Sequence, residues 1–226
     1  RFGNDQLYWE ESAKLLALLL FTLRGTPFVY QGQEIGMTNF DFSSMEDIRD
    51  VESKNIYALT KKMGFSSKAR WRMMQKTSRD NARTPVQWSN ARQGGFTTGE
   101  SWIRVNANYA KINMHSQKED EFSVRSFYKR MIKLRKQNAV LKEGSFELVK
   151  ATNSLVVFKR VLGKDSLTIA LNFSSKKRRV DTALQGSVLL STYERVQGDQ
   201  VQAQAQAVKA DSFSGTLRPW EAVILR

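Results

Sequence analysis

Near Gly144 the hydrophobic pattern of this chain changes period, and that change constrains its architecture more than any other feature. From residue 145 onward, "FELVK", "SLVVFKRV", "SLTIALNF", "SVLLSTY" and "AVILR" are short β-rich runs separated by "TNS", "LGKD" and "SSKK" turns. Their spacing predicts a small antiparallel sandwich over 145–226. Before Gly144 the signals are helical or irregular. Residues 9–24, "WEESAKLLALLLFTLR", read as a helix with Glu10 and Glu11 in its first turn and Arg24 in its last. Gly25 suits its C-terminal cap, and Pro27 cannot continue it. Beyond Lys14 the helix is apolar nearly all round, so it should be largely buried.

The next stretch, "TPFVYQGQEIGM", predicts a short buried strand at "FVY" ending in a polar, glycine-punctuated turn. Helix, tight loop and short strand are the grammar of an α/β barrel or a doubly wound sheet. In such barrels the polar residues just past a strand's C-terminal end face the active site. Residues 38–122 are long and polar, with short helical stretches at "SMEDIRDVESKNIYALTKKMG" and "SKARWRMMQ". A stretch of that length is functional or disordered, and its aromatics from Phe40 through Trp102 argue against disorder. Residues 122–137 form an amphipathic helix, with Phe122, Phe127, Met131 and Leu134 on one side and cations on the other. Residues 200–207, "QVQAQAQA", are of low complexity and read equally as a strand or a mobile loop.

Composition narrows the function classes. At 226 residues and 41% hydrophobic, the chain can build one large domain or two modest ones. Its net charge of +14 raises nucleic acid as a partner. Yet the densest clusters (Lys61-Lys62, Lys68 to Arg72, Lys129 to Lys136, Lys176 to Arg179) are separated and carry no nucleic-acid motif. They read as solvated surface, the last as a hairpin turn, so no nucleic acid is expected. There is no cysteine, which excludes disulfides and permits a reducing compartment. With His115 as the single histidine, no histidine-rich metal cluster can form. The longest apolar run, "LLALLLF", is far short of the ~20 residues of a membrane span, so no membrane is expected. The first residues, "RFGNDQ", contain no initiating Met and no signal peptide, and read as the start of a piece of something longer.

One segment is unlike a packed core. "TSRDNARTPVQWSNARQGGFTTG", residues 77–99, sets three arginines beside an aspartate, an asparagine and a proline, then a tryptophan and a double glycine. Together with "GTPFVYQGQEIGMTNF", "IRDVESKN" and "SWIRVNANY", it resembles the C-terminal half of an α-glucosidase of glycoside hydrolase family 13. The similarity is to the oligo-1,6-glucosidase and dextran glucosidase branch, with trehalose-6-phosphate hydrolases and sucrose isomerases close by. It runs from Arg1 to Arg226.

The resemblance implies a fold of α/β plus all-β class: the C-terminal remnant of a (β/α)8 TIM barrel over 1–144, followed by an antiparallel β-sandwich over 145–226. Residues 9–24 would follow barrel strand seven, "FVYQGQE" would be strand eight, and 122–137 the closing helix. The long polar insert would then lie on the active-site face. Arg83 of "RTPVQW" would salt-bridge an aspartate from early in the barrel and grip the non-reducing glucose, with Arg79 the second candidate. A guanidinium offers a planar fork that can address two vicinal hydroxyls. Pro85 would stiffen the backbone and aromatic neighbours would supply walls. The plainer alternative is that one of the two arginines merely holds Asp80 or a backbone carbonyl. Glu52 would sit near the leaving-group sugar, with Asn55 a weaker candidate, the alternative being a helical glutamate paired with a lysine. Glu34, in "QGQE" where the family commonly shows "QGEE", would orient barrel residues, and His115 would be ordinary structure.

Retaining glycosidases need two carboxylates about 5–5.5 Å apart. In this family both, and a third sugar-binding aspartate, lie upstream of the segments quoted, so no catalytic residue is assigned here. Asp5, Asp41, Asp47, Asp50 and Asp80 show no paired spacing. The expected parent is a cytoplasmic hydrolase of short α-1,6-linked glucosides. It needs no cofactor, and its partners are an oligosaccharide substrate and the missing N-terminal half of the barrel. The alternatives are a trehalose-6-phosphate hydrolase, a sucrose isomerase or transglycosylase, and a non-catalytic sugar-binding fragment. Ser101, Arg104 and Ala107 stand where prolines are expected, which loosens that loop.

Overall fold

The computed structural model describes residues 3–180, 186–193 and 213–226. Two units emerge: Tyr30–Asp120, and Phe2–Val29 with Glu121–Arg226. Residues 200–207 lie outside the described residues.

In the second unit, helix α1 spans Trp9–Thr22, with Glu10 and Glu11 in its first turn. It stops two residues short of the sequence reading, because Leu23 turns extended (φ −61°, ψ 154°). Arg24 therefore lies beyond the last turn. The cations that serve that helix end come from elsewhere. Arg135, on α4 (Val124–Gln137), donates to the carbonyls of Phe21, Leu23 and Gly25. α4 opens with Ser123 as N-cap, its hydroxyl accepting from Ser126 N, and presents Val124, Phe127 and Met131 to the core. A short helix, α5 (Ala139–Glu143), follows.

The predicted β-rich runs all form strands. β1 (Ser145–Ala151), β2 (Leu155–Leu162), β3 (Asp165–Asn172), β5 (Val188–Ser191) and β7 (Ala222–Leu225) build one antiparallel five-stranded sheet, in the order β1-β2-β3-β7-β5. Alternation along β2 sends Phe158 to one face and Leu155 and Val157 to the other. Phe158, Ile169, Leu171 and Ile224 pack with Leu15, Leu18, Phe127, Met131 and Leu141 of the helices. The opposite face, with Ala170, Val223 and Leu225, is covered by Val180 and Leu217.

Leu217 belongs to a two-stranded ribbon, β4 (Arg178–Arg179) with β6 (Thr216–Leu217), that the sequence reading missed. The "SSKK" segment is accordingly no hairpin turn. β3 pairs with β7 on the side where a hairpin partner would sit, so the chain leaves for the ribbon. Asn172 holds that exit, its Nδ2 donating to Lys176 O and Arg218 O at 2.7 Å each.

The expected buried strand at 28–30 has no ladder partner among the described residues, and Phe28 is 83% exposed. A strand exists by pairing, and no described segment supplies the neighbour. No helix among the described residues is long and apolar enough to cross a membrane.

In the first unit, α2 (Val51–Lys62) and α3 (Ser67–Thr77) form at the two helical stretches expected. Phe40, Phe42, Ile48 and Met74 make its core, with Tyr57 and Trp71 packed alongside. Arg70 clamps the helix pair: its guanidinium lies 4.2 Å from the Tyr57 ring centre, and Nη1 donates to Tyr57 O.

Tyr193, just past β5, donates its hydroxyl to Pro219 O at 2.6 Å. Burial, reinforced by Glu11, Glu221 and Tyr8 and partly offset by Arg218, pushes its phenol up to about 12. The folded state thus favours the neutral phenol. That stabilisation is complete below the ordinary value of 10.0 and is lost as pH rises through about 12. The urea midpoint should therefore fall more steeply over that window in the wild type than in Tyr193→Phe. Parallel curves would remove Tyr193 as the cause.

Candidate active-site loop

The arginine-rich segment is stitched to the start of α2 by buried carboxylates. Asp50 is the N-cap of α2: it accepts from Ser53 N at 3.2 Å and Ser53 Oγ at 2.6 Å. Ser53 Oγ in turn accepts from the Ser78 hydroxyl at 3.1 Å, and Ser78 Oγ accepts from Asp80 N. Asp80 is fully buried, and its Oδ2 accepts from the backbone N–H of Arg49 (2.6 Å) and of Asp50 (2.8 Å). Two charge-assisted bonds thereby join segments that lie 30 and 31 positions apart in the chain.

The other oxygen of Asp80 holds an arginine. Arg83 Nη1 donates to Asp80 Oδ1 at 3.1 Å and lies 3.5 Å from Asp50 Oδ1. Arg79 Nη2 bridges Asp50 Oδ1 (3.2 Å) and Glu52 Oε2 (2.6 Å). Burial alone would raise the Asp50 carboxyl, but the Ser53 hydrogen bonds, Arg79 and Arg83 outweigh it and hold it below the usual range. Asp50 therefore stays ionised at neutral pH.

Three of the four residues singled out in the sequence thus meet: Arg83, Arg79 and Glu52. Asn55 does not. It is exposed on α2 and makes no side-chain hydrogen bond among the described residues. Glu52 pairs with Arg79 rather than with a lysine. Arg83 does hold Asp80, but through Nη1 alone; its side chain is 35% exposed, and Nη2 and Nε have no partner among the described residues. Asp80 entered the sequence reading only as an alternative partner for an arginine, and Asp50 as a part of this site was missed. The available signal was local: aspartate three residues before Ser53 at a helix start is a capping pattern.

Backbone rigidity continues past Arg83. Thr84 through Gln87 are buried. Gln87 Nε2 donates to Asn108 Oδ1 and to Ile112 O. Gly94 O accepts from Trp88 N and Ser89 N. Gln93, Gly94 and Gly95 all have positive φ (57°, 63° and 69°), and a Cβ on Gly95 would lie 2.5 Å from Ser89 Oγ, so any larger residue there would be strained and would have to displace that hydroxyl. At the start of the unit, Gln33 Oε1 accepts from Tyr30 N, while Glu34 keeps one buried oxygen without a partner among the described residues.

A profile of the alpha-amylase catalytic domain matches residues 1–144. An oligo-1,6-glucosidase of Parageobacillus thermoglucosidasius is 38% identical over 228 residues, covering 100% of this chain and 40% of the relative. A trehalose-6-phosphate hydrolase of Bacillus subtilis is 34% identical over 231 residues, covering 100% of this chain and 39% of the relative. The crystal structure of isomaltulose synthase from Klebsiella sp. LX3 superposes with a TM-score of 0.85 at 33% identity, covering 99% of this chain and 39% of that one. The chain thus spans 40% or less of the length of these relatives.

Proposed function

Because this chain belongs to the alpha-amylase family, we propose that it is the C-terminal portion of a cytoplasmic retaining α-glucosidase acting on short α-1,6-linked oligosaccharides. Residues 1–144 contribute the last part of the catalytic barrel and its substrate-binding loop, and residues 145–226 the β-domain. The observation that carries this reading is Arg83. Buried Asp80 anchors one nitrogen of its guanidinium, and the free Nη2 and Nε edge is the kind of planar fork that addresses vicinal hydroxyls of a terminal glucose. Glu52, held by Arg79, has one carboxylate oxygen left over for a hydroxyl of the neighbouring sugar. Asn55 stands one turn further along α2 as a weaker contact.

The chemistry belongs to carboxylates outside this segment. Asp47 is committed to Ser43 and Arg104, Asp50 to Ser53 and the arginines, and Asp80 to backbone N–H groups and Arg83. None of the three is placed to act as a nucleophile or acid.

The test is turnover of isomaltose and p-nitrophenyl α-glucoside by the purified chain. The chain alone should be inactive. Activity should appear when it is co-expressed with the N-terminal portion of an oligo-1,6-glucosidase. Turnover by the chain alone would sink the reading. A second reading, hydrolysis of trehalose 6-phosphate, is favoured by the relative of that name and by exposed Lys61, Lys62, Lys68 and Arg72 near the loop in sequence. Preference of the complemented enzyme for trehalose 6-phosphate over isomaltose would select it.

A further inference from the structure

Within the first unit, a cleft of about 600 Å³ opens beside the arginine network. Neither Arg79 nor Arg83, and neither Glu52 nor Asn55, lines it. Its size falls in the roughly 300–1,000 Å³ range of small-molecule sites. Two of its lining residues are locked together. Arg104 Nη2 lies 3.3 Å from Asp47 Oδ2, and the guanidinium sits 5.0 Å from the centre of the Phe40 ring. Asp47 also accepts from Ser43 N and Ser43 Oγ at 2.7 Å each. Arg104 is one of the positions where the chain departs from the prolines expected there, so this pair depends on that departure.

Four other polar residues of the lining are unengaged. Glu46, Arg49, Gln93 and Glu100 line the cleft, and none makes a side-chain hydrogen bond or ion pair among the described residues. Trp102 stands at the cleft with 66% of its surface exposed. A singly exposed aromatic is ordinary on a convex surface. Here the tryptophan lines a concave space that it shares with several unengaged donors and acceptors. Gln93 holds φ +57°, a left-handed conformation that costs a non-glycine residue energy and tends to persist at binding sites.

We propose that this cleft is a second saccharide site, for a neutral oligosaccharide, with Trp102 as its platform. A pyranose has an apolar C–H face and a rim of hydroxyls. The indole suits the face, while carboxylates, an amide and a guanidinium suit the rim. Neutrality follows from the lining: Glu46, Asp47 and Glu100 stand against Arg49 and Arg104, and Arg104 is already committed to Asp47. A phosphorylated sugar would meet more negative than positive charge.

The experiment is titration of the intact chain with isomaltotriose, maltotriose and glucose 6-phosphate, followed by the tryptophan indole N–H signals. The Trp102 signal, assigned with Trp102→Phe, should shift saturably with both trisaccharides. Trp102→Ala should weaken binding about tenfold or more, and Trp102→Phe should retain most of it. Absence of saturable binding would overturn the proposal, as would equal binding by Trp102→Ala or tighter binding of glucose 6-phosphate. Loss of binding in Arg83→Ala alone would also overturn it, by moving the saccharide to the arginine network. Turnover by the complemented enzyme is read separately, so either reading can fail without the other.

Discussion

Arg160→Met should destabilise the second unit by about 3 kcal/mol or more, through buried carbonyls left without donors. Arg160 is fully buried on β2. Its guanidinium donates to Thr22 O (2.6 Å) at the end of α1, to Leu141 O (3.0 Å) and Gly144 O (2.6 Å) at the end of α5, and to Ser145 O (3.1 Å) at the start of β1. One side chain therefore closes two helix C-termini and ties both to the sheet, where the helix dipole also favours a cation. No carboxylate neutralises it among the described residues. Burial, then repulsion from Arg135 and Arg24, pulls its pKa below the ordinary guanidinium value, so the carbonyl dipoles alone balance the charge. Methionine keeps the bulk and removes every donor. Arg160→Lys should recover only part of the loss, since one ammonium cannot span four carbonyls in a fork. Urea unfolding followed by near-ultraviolet circular dichroism measures both. A loss under about 1 kcal/mol for the methionine variant would mean the freed carbonyls find water easily, against this account.

Asp80→Asn should lower kcat/KM for isomaltose about a hundredfold in the complemented enzyme, the scale expected when a substrate-positioning group shifts by roughly an ångström. Asparagine matches the volume of aspartate but has a single acceptor oxygen. It cannot serve the N–H groups of Arg49 and Asp50 and also hold Arg83, and its amide would be turned toward donors. Losing one acceptor of the buried carboxylate should also cost about 1–3 kcal/mol of stability, because one of its donors is left unserved. The kinetic split separates positioning from mere structure. If Arg83 acts through this anchor, Arg83→Lys should be nearly as impaired as Asp80→Asn, since lysine supplies no planar fork. An Asp80→Asn enzyme that is less stable but kinetically normal would show the anchor to be structural only.

Much of the local structure was legible in the chain. The helices at 9–22, 51–62, 67–77 and 124–137 follow apolar period and capping residues, with Asp50, Ser66 and Ser123 as side-chain caps. The five main strands follow β-rich runs between polar turns. Of the site, Arg79, Arg83 and Glu52 were singled out by resemblance. Their arrangement was not legible, since Asp80 meets the start of α2 across some 30 positions. Nothing in the spacing of "RDV" and "SRD" marks those two aspartates as neighbours.

Local period and capping are properties of adjacent residues, so the chain alone determined where the four longer helices and the five main strands lie. Pairing and burial depend on what arrives from far along the chain. Tertiary structure alone decided that β3 takes β7 beside it, which sends Arg178–Arg179 to the separate ribbon with Thr216–Leu217. It likewise left residues 28–30 without a ladder partner among the described residues, and turned Arg135 and Arg160 from two members of a basic composition into buried caps. The physical reason is the same in each case. A backbone carbonyl or N–H that leaves water must find a partner, and which partner it finds is set by packing rather than by sequence neighbours.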